Sequence, residues 1–227
     1  SRYKVAVISS GLEHVKRGVE TWAKDLAYAL KEKGVKVALY KGSGACNNGF
    51  EKVVPCVRCN SKLSRRLLKI LPKCSWRFGM GSDFQIQQTT FALNILPELM
   101  LKKFDIIHTQ DPDCANILRI AKKIGLIRSR IILAHGTEEP FSFIKKFDYL
   151  QHLAPYHMEE AMQNGVNGAT KQFAIGNFVD VERFGSNMVL DSAPSVPRSD
   201  NIDRSLREKL GIPEDAFVVL SVAAIKK

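Results

Sequence analysis

The chain has 227 residues, 45% of them hydrophobic and 25% charged, ordinary proportions for a folded protein with a sizeable core and one or two domains. No apolar run approaches the ~18 residues that a membrane-spanning helix needs, and the N-terminus enters a strand with no signal-peptide pattern, so the expectation is a cytoplasmic protein. A formal net charge of +11 and a pI near 9.5 favour anionic partners such as nucleotides, phosphates, acidic lipid or nucleic acid, with a solvated basic surface as the plainer reading.

Tyr3 to Ser9 is an apolar strand, followed by a polar loop that runs through Ser10 and is bounded by Gly11 and Gly18. A helix from Val19 to Lys33 places Val19, Trp22, Ala23, Leu26 and Leu30 on one face, and Gly34 stops it. Val35 to Tyr40 alternates as a second strand. Strand, glycine loop, helix and strand in this order open a Rossmann-like βαβ unit with parallel strands. Gly11 and Gly18 stand seven apart rather than in a GxGxxG fingerprint, which argues against a dinucleotide cofactor. The helix N-terminus, with Lys16 and Arg17 just before it, suits a phosphate; the other reading is that the two glycines only let the chain turn.

Residues 41–80 are punctuated by Gly42, Gly44, Gly49, Pro55 and Pro72 and carry little regular pattern. Within them, Lys62 to Lys73 sets five positive charges beside Leu63, Leu67, Leu68, Ile70 and Leu71. Such a basic amphipathic segment either lies on an anionic membrane or packs its apolar side into the core with the cations solvated. Cys46, Cys56, Cys59 and Cys74 contain one CxxC pair and are open to a four-thiolate zinc site, although the unlike intervals to Cys46 and Cys74 favour free thiols. Phe84 to Leu101 reads as a long helix with a stripe of Ile86, Thr90, Leu93, Leu96, Pro97 and Met100, kinked or broken at Pro97.

Phe104 to Ile107 is a short strand ended by the polar run from His108 to Asp111, and Pro112 suits the first turn of a helix reaching Lys123. Cys114, Ile117, Leu118, Ala121 and Ile124 form that helix's apolar face, and Gly125 stops it. Ile131 to Ala134 is a buried type of strand that delivers His135, Gly136 and Thr137 at its C-terminal end, where ligands bind in parallel α/β sheets. Phe147 to Leu150 and Gln172 to Ile175 are weaker strands on either side of a helix from Pro155 to Asn164. Ser186 to Asp203, with Pro194 and Pro197, has linker composition, and the strand Phe217 to Ala224 reads as the start of a second domain. The expected organisation is a doubly wound, mainly parallel α/β domain with helices on both faces over 1–185, a linker over 186–203, and the truncated start of a further domain over 204–227.

Gly18-Val19-Glu20 opening the first helix, Phe104-Asp105-Ile106-Ile107-His108, His135-Gly136, Gly176-Asn177-Phe178-Val179-Asp180 running on to Phe184, and Leu206 to Pro213 stand in a definite order. Together they resemble the N-terminal half of the family 4 glycosyltransferases, retaining enzymes of the two-domain GT-B fold. The resemblance implies a hexosyltransferase type of reaction, moving a sugar from a nucleotide-sugar donor to a glycan or lipid-linked acceptor with the anomeric configuration kept. It implies that the first domain shapes the acceptor side, that most of the donor site lies on the second domain, and that this chain alone is inactive. It places His135 beside the transferred sugar as the catalytic residue, with Gly11, His14, Lys16, Arg17, Gly18 and Gly136 as substrate-binding residues around the sugar and the donor diphosphate. His108 is a further histidine at a strand end. Neither a metal nor a cofactor is implied. The alternative is a non-catalytic Rossmann-like module that binds anionic lipid or phosphate ligands through Lys62 to Lys73, with peripheral contact at the inner face of the membrane. Nucleic acid is not expected, because no aromatic residues interleave the basic run.

Overall fold

The computed structural model describes residues 3–15, 18–72, 74–75, 79–135, 139–166, 168, 170–176 and 211. The chain divides into two units, Ser1–Phe178 and Val179–Lys227, and every described strand and helix belongs to the first. Its strands are β1 (Lys4–Ser9), β2 (Lys36–Lys41), β3 (Glu51–Val53), β4 (Ile106–Thr109), β5 (Arg130–His135), β6 (Tyr149–His152) and β7 (Lys171–Ala174). They form one seven-stranded sheet in the order β3-β2-β1-β4-β5-β6-β7, and every neighbouring pair is parallel. The helices are α1 (Gly18–Glu32), α2 (Lys62–Ile70), α3 (Asp83–Lys102), α4 (Pro112–Lys123), α5 (Phe141–Ile144) and α6 (Pro155–Gln163). This is the Rossmann-like α/β fold that the alternation of strand and helix patterns predicts.

A right-handed crossover puts its helix on one face when the chain moves one way along a sheet and on the other face when it moves back. The step from β1 to β2 lays α1 over Val5, Val7, Val37 and Leu39. After β3 the chain returns past β1 to β4 and continues outwards, so α3, α4 and α6 cover the opposite face, over Ala6, Ile8, Ile107, Leu133 and Leu150. Burial on both faces is why β1 reads as an unbroken apolar run rather than an alternating one. The winding reverses between β1 and β4, and in open sheets the crevice for a ligand lies at the strand C-termini beside that reversal.

The differences from the predicted elements have local causes. Three-residue β3 lies among glycines and is too short to show a period. β4 lies two residues beyond the predicted strand: Ile8 pairs with Thr109, so His108 and Thr109 are strand residues and not part of the loop. α3 runs unbroken through Pro97. Pro97 and Leu93 are both exposed, so the Leu93 carbonyl that loses its N–H partner sits on the solvent side. The stripe that α3 buries runs through Ile86, Phe91, Ala92, Ile95 and Leu99, leaving Leu93 and Met100 outside.

A buried ion pair fixes the β2–β3 end of the sheet. Lys41, whose side chain is 1% exposed, donates from Nζ to Glu51 Oε2 at 2.8 Å and to the Ala45 carbonyl at 2.7 Å. Glu51 Oε1 accepts from the Tyr28 hydroxyl at 2.5 Å, and Glu13 Oε1 stands 3.6 Å from the same Lys41 Nζ. Burial pushes the Glu51 carboxyl up, but hydrogen bonds from Lys41 and Tyr28 outweigh it and hold the group at about 2. Lys41 behaves in the opposite sense, with burial pulling it down and the Glu51 carboxylate lifting it above its ordinary value. Both charges are saturated, and α1, β2, β3 and the turn between them are joined through this one pair.

α2 starts at Ser61, whose side chain accepts from the Ser64 N–H, and it packs on α3. Ser64 is buried and Leu67 and Leu68 are half-buried, whereas Leu63 and Ile70 are 54% and 79% exposed. The leucines and isoleucine therefore divide between the core and the solvent. Lys62, Arg65, Arg66 and Lys69 are all exposed and line a shallow groove of about 210 Å³.

Candidate active site

Because all seven strands run the same way, the residues that follow β1, β4, β5 and β6 gather on one edge of the sheet. The loop after β1 and His135 at the end of β5 are separated only by β4, two strand spacings or about 10 Å.

The loop after β1 is held from three directions. Its Ser10 N–H donates to Asp111 Oδ2 at 2.6 Å, a contact that spans the point where the winding reverses. Asp111 precedes α4 but makes no cap hydrogen bond to it, so its carboxylate serves the neighbouring loop instead. On α3, Gln87 Oε1 accepts from His14 Nε2 and from the Cys59 N–H, both at 2.9 Å, and Gln87 Nε2 donates to Ser10 Oγ at 3.3 Å. Within the loop the Val15 N–H closes a turn on the Gly11 carbonyl at 2.8 Å, and Glu13 sits in the left-handed region with φ 75°.

The glycines of this region are explained by close approach. A Cβ on Gly11 would lie 2.5 Å from the carboxylate oxygen Oε1 of buried Glu20 in the first turn of α1. One on Gly42 would lie 2.0 Å from the Ser10 carbonyl oxygen, which is backbone and cannot swing aside. Gly42→Ala should therefore displace the loop after β1 and cost about 1–3 kcal/mol, read as a lowered midpoint in urea unfolding. A Cβ on Gly18, by contrast, meets nothing within 4 Å among the described residues. Lys16, Arg17 and Gly136, which the sequence places in the same site, lie outside the described residues, as does the run from Asn177 to Asp180.

His135 is the last residue of β5 and 9% exposed. Its Nδ1 lies 3.1 Å from Glu139 Oε2, and since a carboxylate only accepts, Nδ1 carries a proton and donates it to Glu139. Two further histidines stand around it: the His152 ring at 5.7 Å and the His157 ring at 6.4 Å, both edge-on. His152, paired with His135 across β5 and β6, donates from Nε2 to Gln172 Oε1 at 2.8 Å. Burial lowers the His152 pKa, the Gln172 hydrogen bond opposes it, and the neighbouring His135 and His157 add to the lowering.

His108 is not part of this group. It points to the α1 side of the sheet, where its ring meets Trp22 at 5.2 Å, and its Nε2 donates to Gln151 Oε1 at 2.9 Å. Burial lowers its pKa, and its place is that of a hydrogen-bonded core residue. Two polar side chains at the edge have no such partner: Ser9 Oγ and both amide atoms of Gln110 are buried without a hydrogen bond among the described residues. Ser9 and Gln110 directly follow the register pair Ile8 and Thr109 on the two central strands. A buried polar group left unpaired costs about 1–3 kcal/mol, so these atoms mark a position where a polar ligand group is favoured.

The cysteines do not assemble into a metal site. Cys46 and Cys74 are exposed, Cys56 lies against the Gly42 carbonyl with its thiol pushed up to about 11 by burial, and no metal-binding group of three or more side chains occurs among the described residues. Asp111, Gln87 and Glu139 went unnoticed in the sequence. Of these only Glu139, four residues after His135 in a turn-like stretch, offered a signal.

No protein-family model and no curated protein matches the sequence. Solved structures do. Sucrose-phosphate synthase from Thermosynechococcus elongatus superposes with a TM-score of 0.52 at 12% identity, over 80% of this chain and 92% of that one. A glycosyltransferase from Rickettsia africae gives 0.48 at 16% identity over 94% of this chain, and the lipopolysaccharide outer core galactosyltransferase WaaB gives 0.47 at 15% over 78%. The chain spans 50% and 46% of the length of those two proteins. At 12% identity the likeness to the sucrose-phosphate synthase establishes a shared Rossmann-like fold and nothing further.

Proposed function

We propose that this chain is the acceptor-side domain of a retaining, family 4 type glycosyltransferase of GT-B architecture, acting on a nucleotide-activated hexose together with a second domain. The observation that carries the reading is His135 at the C-terminal end of β5 with its Nδ1 proton directed at Glu139, which leaves the other ring nitrogen without a hydrogen-bond partner among the described residues. The Gln110 amide and Ser9 hydroxyl on the same edge, unpaired among the described residues, suit the hydroxyls of a sugar. In the proposed reaction the bond between the anomeric carbon and the diphosphate oxygen breaks with its electron pair leaving on the nucleotide. The acceptor oxygen bonds to the same face of that carbon, and the acceptor's proton is released. His135 hydrogen-bonds the transferred sugar, and the space beside Gly18, unfilled among the described residues, admits the diphosphate.

The test is a panel of nucleotide sugars presented to the protein with its second domain in place, read by thermal unfolding and by product formation. One donor should stabilise it, by about 2.7 kcal/mol at a hundredfold excess over Kd, and support transfer. The 227-residue chain by itself should turn over none of them. Turnover by the chain alone would overturn the division of labour between domains, and a full-length protein that no nucleotide sugar stabilises would overturn the reading itself.

A further inference from the structure

An amphipathic helix on a protein surface normally buries the residues at i, i+3, i+4 and i+7. In α2 the inward stripe at that spacing is Ser64, Leu67, Leu68 and Leu71, and a second set at the same spacing, Lys62, Arg65, Arg66 and Lys69, is all exposed. Four cations at this spacing are mutual neighbours on one face, and like charges three and four residues apart repel. Nothing nearby relieves them: among the described residues none of the four takes part in an ion pair, α2 has no acidic residue in its first turn, and Arg65 reaches only the Asn60 carbonyl, at 3.0 Å. The flank of the same face carries Leu63 and Ile70, 54% and 79% exposed, one at each end of the helix.

We infer that α2 is a docking surface for an anionic phospholipid bilayer, with the four cations at the headgroups and Leu63 and Ile70 entering the boundary with the acyl chains. Charge complementarity calls for an anionic partner, and the two apolar side chains choose the bilayer among anionic partners, because a nucleic-acid backbone offers them nothing to enter. The helix contains no aromatic residue on which a base would stack. No described helix is long and apolar enough to cross a membrane, so the contact is peripheral. α2 is also close in sequence to the candidate site: Cys59, three residues before its start, shares Gln87 with His14. Docking would thus bring the edge of the sheet towards the lipid surface.

The inference stands independently of the sugar-transfer reading and is tested on this chain alone. Sedimentation with vesicles of phosphatidylcholine mixed with phosphatidylglycerol should carry the protein down, and vesicles of phosphatidylcholine alone should not. Raising salt should release it, since the Debye length shrinks to about 3 Å at 1 M. Each charge removed should lower the partition coefficient about fivefold, so the combined Lys62→Gln, Arg65→Gln, Arg66→Gln, Lys69→Gln variant should stay in the supernatant. Glutamine keeps the helix propensity of these exposed positions, and an unchanged thermal midpoint confirms the fold. A Leu63→Ser, Ile70→Ser variant should retain part of the binding. Failure of the unaltered chain to sediment, or equal sedimentation of the four-glutamine variant, would overturn the assignment. Full binding by the serine variant, or equally tight capture by a DNA duplex, would overturn the choice of a bilayer.

Discussion

Replacing His135 by alanine in the two-domain protein should lower kcat about 10²- to 10³-fold, the usual loss when one hydrogen-bonding group at the reacting centre is removed. The thermal midpoint should barely move, because among the described residues the ring's only hydrogen bond is to Glu139. Glu139→Gln is the informative companion. It keeps the shape of the contact but removes the carboxylate that selects the Nδ1-protonated tautomer, so the imidazole is no longer held with Nε2 free. The expected result is a fall in kcat, smaller than for His135→Ala, with KM little altered. If His135→Ala retained full kcat, the ring would be a packing residue beside His152 and His157 and the proposed role would be lost.

The largest effect on stability should come from Lys41→Met. It leaves the Glu51 carboxylate buried without its cation, and breaking one side of a buried pair costs about 3–5 kcal/mol. A protein of this size loses about 2–4 °C per kcal/mol, so the midpoint should fall by roughly 10 °C. The double variant Lys41→Met, Glu51→Met should recover much of that, because neither charge is then stranded. The pH dependence follows from the carboxyl. Glu51 is lowered from 4.5 to about 2 in the folded protein, so its contribution is fully present above 4.5 and is lost as pH falls through about 2. Lys41 is raised, so its share is complete below 10.5 and disappears as pH rises beyond it. Urea unfolding at successive pH values should show the gap between the unaltered protein and Glu51→Gln narrowing between pH 4.5 and 2. A gap that stayed constant would mean that the pair does not carry this linkage.

The parallel, doubly wound character of the sheet was legible because fully buried parallel strands leave continuous apolar runs such as Val5 to Ile8 and Ile131 to Ala134, each closed by a glycine or a polar turn. The place of His135 at a strand end was legible for the same reason, and in a parallel sheet that end is where ligands approach. What was not legible depends on partners distant in the chain. Gln87 and Gln88 are buried on α3 because they bind Ser10, His14, Cys59 and the N–H of Asp113, and no local pattern marks a glutamine as a core residue. The apolar stripe of α3 was misplaced for a related reason: these two glutamines occupy part of its inward face, while Leu93 and Met100 face solvent. His108 looked like a rim residue only because the strand boundary was set two positions early, and the pairing of Ile8 with Thr109 corrects it.

The tie between Ser10 and Asp111 has a thermodynamic consequence for whatever occupies the crevice. With its backbone already bonded to Asp111 and its side chain to Gln87, this part of the rim has little conformational freedom left to surrender when a guest arrives. Association then forfeits mainly the guest's own tumbling and rotor entropy, which is the advantage of a preorganised host. Loosening that host with Asp111→Ala should appear as faster escape of a bound ligand with its rate of capture nearly unchanged.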